Sequence, residues 1–192
     1  MNIRLINEYQ IPFIRTHGYT VFLLGGKTVM VQLVKATEDD LEELHSLQVE
    51  AFMPLYEKYH DDEMSPAKES IERIREKLTR PNSFFYFVTS EGEKVGVIRI
   101  VRDYRSPDDS IMHISPLFIR PKFQGKGYGG AAIEAAFKLW DKTSTWRLAT
   151  IKEEPKNCYL YEKYGFVRTG WEEKINDLMT IVGYERKENG NA

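Results

Sequence analysis

One cysteine stands in the whole chain, Cys158, so no internal disulfide can form and no cysteine-rich zinc site can be built. The four histidines, His17, His45, His60 and His113, are scattered without ligand spacing, and no structural metal is expected. Long apolar runs are missing too. The longest, Phe84 to Val88, has five residues, too short for a membrane span or for the apolar stretch of a signal peptide. A cytoplasmic protein with no membrane partner is expected. Nor is one charge in excess: 27 Lys+Arg against 29 Asp+Glu leaves a formal net charge of −2. That removes any general attraction to nucleic acid and leaves an anion site to local geometry. What the chain does have is 192 residues, 42% of them hydrophobic and 12% aromatic, enough to bury the core of one compact domain.

Helical periodicity and strand patterns alternate along the chain. Val29 to Ala36 reads as a strand. Thr37 followed by Glu38, Asp39 and Asp40 reads as a helix N-cap with acids in the first turn, leading into Leu41, Leu44, Leu47 and Phe52. Ser65-Pro66 is a second start signal, and Ile71, Ile74 and Leu78 supply an apolar stripe that Pro81 ends. Phe84 to Thr89 and Val95 to Val101 flank a short Gly-containing connection and predict a hairpin. Ser110 to Ile119 is a further strand, in which Pro116 implies a bulge or an unpaired position. A helix over Ala131 to Lys142, a strand over Trp146 to Ile151, a short helix over Asn157 to Tyr164 stopped by Gly165, and strands over Phe166 to Trp171 and Leu178 to Tyr184 complete the pattern.

The order βααβββαβαββ predicts an α/β (α+β) fold, a mixed sheet flanked by helices. The expected domain spans residues 30–186, with 1–29 as an N-terminal extension and 187–192 as a polar tail. For the extension two readings stay open: Met30 is the native start, or Tyr19 to Leu24 is a genuine extra strand or a dimer contact.

The most informative segment is Gln124-Gly125-Lys126-Gly127-Tyr128-Gly129-Gly130, between a strand and a helix. Glycines let the backbone turn tightly and approach a ligand, and successive N–H groups at a helix N-terminus suit a pyrophosphate. Arg120, Lys122 and Lys126 add positive charge. Gly25-Gly26-Lys27-Thr28 has the look of a P-loop end, but the glycine required five residues before Gly26 is Val21, which excludes it. Gly125, Gly127 and Gly130 satisfy G-x-G-x-x-G, and Glu153 stands about where a ribose-binding acid belongs, so an NAD-binding oxidoreductase is a rival. Five residues between strand end and first glycine, and only 62 residues after Gly130, weaken it.

Gln124-x-x-Gly127-x-Gly129 is followed 32 residues later by Tyr161-Glu162-Lys163-Tyr164-Gly165-Phe166. Together these segments resemble the signature of the GNAT superfamily of acyl-CoA-dependent N-acyltransferases, over roughly Val31 to Tyr184. The resemblance implies acetyl-CoA as cosubstrate and an N-acetyltransferase acting on a primary amine. It implies that backbone groups of Leu117, Phe118 and Ile119 meet the pantetheine arm and thioester. The loop Gln124, Gly125, Lys126, Gly127, Tyr128 and Gly129, with Gly130 in the following helical turn, would hold the pyrophosphate. Tyr161 matches the family's proton donor to the leaving sulfur; packing of a short aromatic helix is the plain alternative.

For the base, relatives often place a glutamate six residues before the last thioester-contacting position, where this sequence has His113. An imidazole can accept a proton near neutral pH, although a core or surface histidine would read the same. Glu50, Glu154 and a water chain are alternatives. Asn157, four residues before Tyr161 instead of the family's usual seven, shares its helical face and can touch the cofactor or simply cap the helix. Cys158 reads as a small buried apolar group, which favours direct transfer. The acceptor region is expected near Glu50, Phe52, Tyr56, Glu57, Tyr59 and Asp61-Asp62-Glu63. A small-molecule amine is the expected partner and a homodimer stays open. A non-catalytic acyl-CoA-binding module is the alternative from another class.

Overall fold

A computed structural model describes residues 15–16, 19–24, 27–106 and 108–188. Nine strands form one sheet in the order β1-β2-β3-β4-β5-β6-β7-β9-β8, where β1 is Arg15–Thr16, β2 Tyr19–Leu24, β3 Lys27–Lys35, β4 Ser83–Ser90, β5 Glu93–Arg102, β6 Ile111–Ile119, β7 Thr145–Ile151, β8 Val167–Lys174 and β9 Thr180–Lys187. The order from β3 onward is the expected one. Tyr19–Leu24 is a strand, paired antiparallel along β3 from Thr20↔Val31 to Leu24↔Lys27. Residues 1–14, 17–18 and 25–26 of the expected extension, and 189–192 of the expected tail, lie outside the described residues.

Every neighbouring pair is antiparallel except β6 and β7, which run parallel over four positions, Ile111↔Thr145 to Ile114↔Leu148. Beyond Ile114 the two strands part. Pro116 sits there, and the β5–β6 register shifts between Ile98 and Ile100, as a residue without a donor requires. The gap positions the site.

Helix α1, Leu41–Tyr59, follows a 3₁₀ turn over Glu38–Asp40. The Asp40 carboxylate accepts from the Thr37 N–H at 2.9 Å and from its hydroxyl at 3.0 Å. Leu44, Leu47 and Ala51 pack on Phe85, Phe87 and Val97, together with Ile74 of α2, Ile71–Thr79. Helix α2 begins later than the Ser65-Pro66 signal predicts. Ser65 caps a separate 3₁₀ turn over Pro66–Lys68, Glu69 is extended, and the α-helix starts with Ser70 as its cap, whose Oγ accepts from the Arg73 N–H at 3.3 Å.

The opposite face of the sheet carries α3, Tyr128–Leu139, and α4, Pro155–Lys163. Gly130, Ala131, Ala132, Ala135 and Ala136 are buried in α3, and such small residues bring the helix close to the sheet. Around them lie Met112, Ile114, Trp146, Leu148, Phe166 and Tyr184. None of the described helices is long and apolar enough to cross a membrane.

Candidate functional site

A trough of about 1150 Å³ runs through the gap between the parted strands. Its walls come from Ala51, Phe52, Pro54 and Leu55 of α1 on one face of the sheet and from Leu160, Tyr161 and Tyr164 of α4 on the other. The whole segment Gln124 to Gly130 lines it, as do Leu117, Phe118, Ile119 and Asn157. All predicted cofactor residues are thus brought to one cavity.

The three strand residues present different groups. The Arg120 N–H donates to Val95 O at 3.0 Å across the β5–β6 ladder. By alternation Phe118 also directs its backbone to β5, whereas Leu117 and Ile119 turn theirs into the gap. The Ile119 carbonyl already accepts from Gln124 Nε2 at 2.9 Å. Phe118 contributes its ring, edge-on to Phe52 at 5.5 Å.

In the loop, Gly125 and Gly127 have φ of +73° and +89°, a region that L side chains rarely adopt. Ala131 N–H closes the first helical bond to Gly127 O at 3.1 Å. The six N–H groups from Gly125 to Gly130 make no hydrogen bond among the described residues. Unbonded N–H groups at the positive end of a twelve-residue helix form a cradle for an anionic group. A Cβ at Gly130 would overlap the Tyr164 hydroxyl, so a side chain there must displace that ring.

The expected positive charges divide. Arg120 is committed to Glu50 Oε2 at 3.0 Å and to Lys94 O at 3.2 Å. Lys122 approaches Glu93 at 3.9 Å. Lys126 lies 5.4 Å from the Phe123 ring and makes no ion pair among the described residues. Lys156 and Lys163 of α4, which the loop motif does not point to, also line the trough.

Tyr161 is 8% exposed. Its ring meets Phe166 and Tyr184 at centroid distances of 6.0 and 6.3 Å. The hydroxyl makes no hydrogen bond among the described residues, and burial pushes it up to about 12, so the phenol is neutral well above neutral pH. Asn157 is the third residue of α4, and Glu154 occupies the N-cap position, so the capping alternative for Asn157 is replaced by its place on the trough wall. Cys158 is buried, its thiol directed to Ile151 O at 3.7 Å.

His113 lies outside the trough. It lines a second cleft, of about 340 Å³, together with Ser115, Arg147, Ala149, Thr169 and Trp171. Its Nε2 is 3.2 Å from Asp103 Oδ2. Nothing in the sequence pattern points to Asp103. The Arg105 N–H, then the His113 ring, hold its carboxyl below the usual range. An ionised Asp103 can only accept, so a neutral imidazole carries its proton on Nε2 and presents Nδ1 as a base. The alternative carboxylates are both engaged: Glu50 by Arg120, and Glu154 by Lys58 at 2.6 Å and the Tyr59 hydroxyl at 2.7 Å. Burial raises the Glu154 carboxyl, but these two donors together outweigh it and leave it below its ordinary value. Among the described residues no group of three or more His, Cys, Asp or Glu side chains could hold a metal.

The sheet speaks against the dinucleotide rival, since β6 and β7 are the one parallel pair among the described strands, which form no doubly wound parallel sheet. Residues 55–187 match the model of the acetyltransferase (GNAT) domain. The chain is 28% identical over 140 residues to an uncharacterized N-acetyltransferase in the pepI 3' region of Lactobacillus delbrueckii subsp. lactis, covering 67% of this chain and 81% of that protein. Among solved structures it resembles an acetyltransferase from Thermus thermophilus, at 21% identity and TM-score 0.63 over 82% of this chain and 97% of that one. It also resembles the spermidine N-acetyltransferase from Vibrio cholerae in complex with CoA and spermine, at 20% identity and TM-score 0.64 over 82% and 95%. AAC(6')-Ib in complex with ribostamycin and coenzyme A aligns at 20% identity and TM-score 0.63 over 82% and 93%. At these identities the likeness to solved structures is one of fold.

Proposed function

Because the chain belongs to the GNAT acetyltransferase family, we propose that it transfers an acetyl group from acetyl-CoA directly to a primary amine of a small molecule. One observation carries the reading: a single trough is lined both by Gly125 to Gly130, whose six N–H groups are unbonded among the described residues, and by Tyr161, whose hydroxyl makes no hydrogen bond among them. The first can hold a pyrophosphate, and the second can give a proton to a leaving sulfur. The family assignment also replaces the binding-module alternative with an enzyme.

Bound acetyl-CoA supplies the thioester whose carbonyl carbon the amine attacks. Leu117 and Ile119 offer backbone groups along the open edge of β6, and Asn157 flanks the same wall. Tyr161 keeps its proton at the hydroxyl and gives it to sulfur as the C–S bond breaks. His113, its Nε2 held by Asp103 at 3.2 Å, takes at Nδ1 the proton that the amine loses. His113 opens on the cleft it shares with Ser115, and Tyr161 on the trough.

The test is a thermal shift with acetyl-CoA, CoA and NADH, followed by thiol release with a panel of amines. Ligand at 100 times its dissociation constant adds about 2.7 kcal/mol, a rise of roughly 5 to 11 °C for a chain of this size. Stabilisation by acetyl-CoA and CoA and not by NADH, with amine-dependent thiol release, is expected. No shift with acetyl-CoA would overturn the reading.

A further inference from the structure

Arg99 is a buried cation, 7% exposed, with no carboxylate partner among the described residues. It extends from β5 on the α1–α2 side, its guanidinium 5.3 Å from the Phe85 ring. Nε donates to Ser83 Oγ at 2.9 Å and Nη1 to the Ser115 carbonyl at 2.8 Å. Nη2 makes no hydrogen bond among the described residues, yet it is not one of the fully enclosed polar atoms without a partner, which are Trp140 Nε1 and Arg186 Nη1. A charge removed from water is ordinarily paired, because its desolvation is costly.

Glu69, the carboxylate whose charge acts on Arg99, and the acids that flank the His113 cleft are already engaged by other cations. Glu69 holds Lys77 and Arg73 and accepts from Gln48 at 3.0 Å. Asp103 is shared by His113, Arg105 at 3.5 Å and Arg147 at 3.7 Å, and Glu185 by Arg147 at 2.9 Å and Lys187 at 3.3 Å. Burial, followed by the positive charge of Arg80 and against the pull of Glu69, lowers the Arg99 guanidinium to about 10, which leaves it charged at neutral pH. The surplus positive charge stands where β6 leaves β7, against Ser115, a wall residue of the cleft that also contains His113.

We propose that the acceptor amine also carries a carboxylate, which Arg99 receives beside Ser115 while the amine faces His113. This rests on the acetyltransferase reading and narrows its substrate class. A guanidinium presents a planar fork that matches a carboxylate, and a charged hydrogen bond there supplies the missing counterion. A polycationic amine would instead bring more positive charge to a cleft whose acids are spent.

The experiment measures kcat/KM at saturating acetyl-CoA for matched pairs: L-α-amino acids, β-alanine and γ-aminobutyrate against their carboxamides, with spermidine alongside. At least one acid should exceed its amide by roughly 10- to 100-fold, and Arg99→Gln should erase the ratio while Arg99→Lys keeps part of it. The inference is overturned if amides or spermidine match the acids in the wild type. It is equally overturned if Arg99→Gln lowers the melting midpoint but leaves the ratio intact, since Arg99 would then only brace the bulge. Acetyl transfer to amides and acids alike, with acetyl-CoA binding intact, sinks this inference and spares the acetyltransferase reading. Should acetyl-CoA fail to bind, that reading falls, and stabilisation of the protein by the acids but not by the amides still decides the role of Arg99.

Discussion

Replacing Tyr161 with phenylalanine separates chemistry from packing, because the two depend on different atoms of one side chain. The ring touches Phe166 and Tyr184, and those contacts survive. The hydroxyl that is lost makes no hydrogen bond among the described residues, so no partner is stranded. The cost in stability should stay below about 1 kcal/mol, a midpoint change within roughly 2 to 4 °C. Turnover should fall by roughly 10²- to 10⁴-fold, which is about 3 to 5 kcal/mol of barrier. Acetyl-CoA affinity, measured by calorimetry, should barely move, since the cradle at Gly125 to Gly130 is untouched. Tyr161→Ala should in contrast cost about 3 to 5 kcal/mol of stability. The wild-type pH profile adds a second readout. Burial pushes the phenol up to about 12, so kcat should show no descending limb near pH 10, where an ordinary phenol ionises. A phenylalanine variant with kcat within about threefold of the wild type would refute the role of Tyr161 as acid; a limb at pH 10 would instead show a phenol that burial has not shifted.

Gly127→Ala forces a side chain onto a φ of +89° and should weaken acetyl-CoA binding by roughly tenfold at about 1 kcal/mol or more of strain, measured by calorimetry. Gly130→Ala should displace the Tyr164 ring, whose hydroxyl occupies the space the new methyl needs, visible as altered tyrosine fluorescence and a lower midpoint. His113→Gln should cut kcat by roughly 10²-fold while leaving acetyl-CoA affinity unchanged, and Asp103→Asn, which removes the acceptor 3.2 Å from His113 Nε2, should lower kcat as well; an unaltered kcat in both variants would assign the base elsewhere. Burial raises Tyr161, Tyr164 and Tyr184 to about 12 each. Below pH 10 these phenols are neutral in the folded and unfolded chain alike, so their contribution is complete there. Between pH 10 and 12 the unfolded chain ionises first, and denaturant unfolding should show stability declining across that window.

The proposed cofactor side of the candidate site could be picked out in the sequence because its signals are local. Gly125 and Gly127 declare a tight loop before a helix, and Tyr161 sits one helix further on at a spacing the family shares. The proposed acceptor side was far less legible. His113 could be named, but Asp103, ten residues away around a loop, became its partner only when β5 and β6 paired. Arg120 read as a phosphate ligand by its proximity to the loop, yet Glu50, seventy residues earlier, claims it. Ser65 and Ser70 both look like helix caps, and both are; which one opens α2 was decided by the extended backbone at Glu69 between them.

The sequence by itself determined the alternation of strands and helices from β3 to β9, the glycine loop and the tyrosine on α4, since hydrophobic period, caps and glycine positions act over a few residues. It could not determine which charges remain without partners. Arg99 looks like any arginine in a strand; that it is buried, and that Glu69, Asp103 and Glu185 are already committed to other cations, follows from contacts between segments far apart in the chain. Desolvation and ion pairing depend on distance in space, and only the packing of α1, α2 and the parted strands sets those distances.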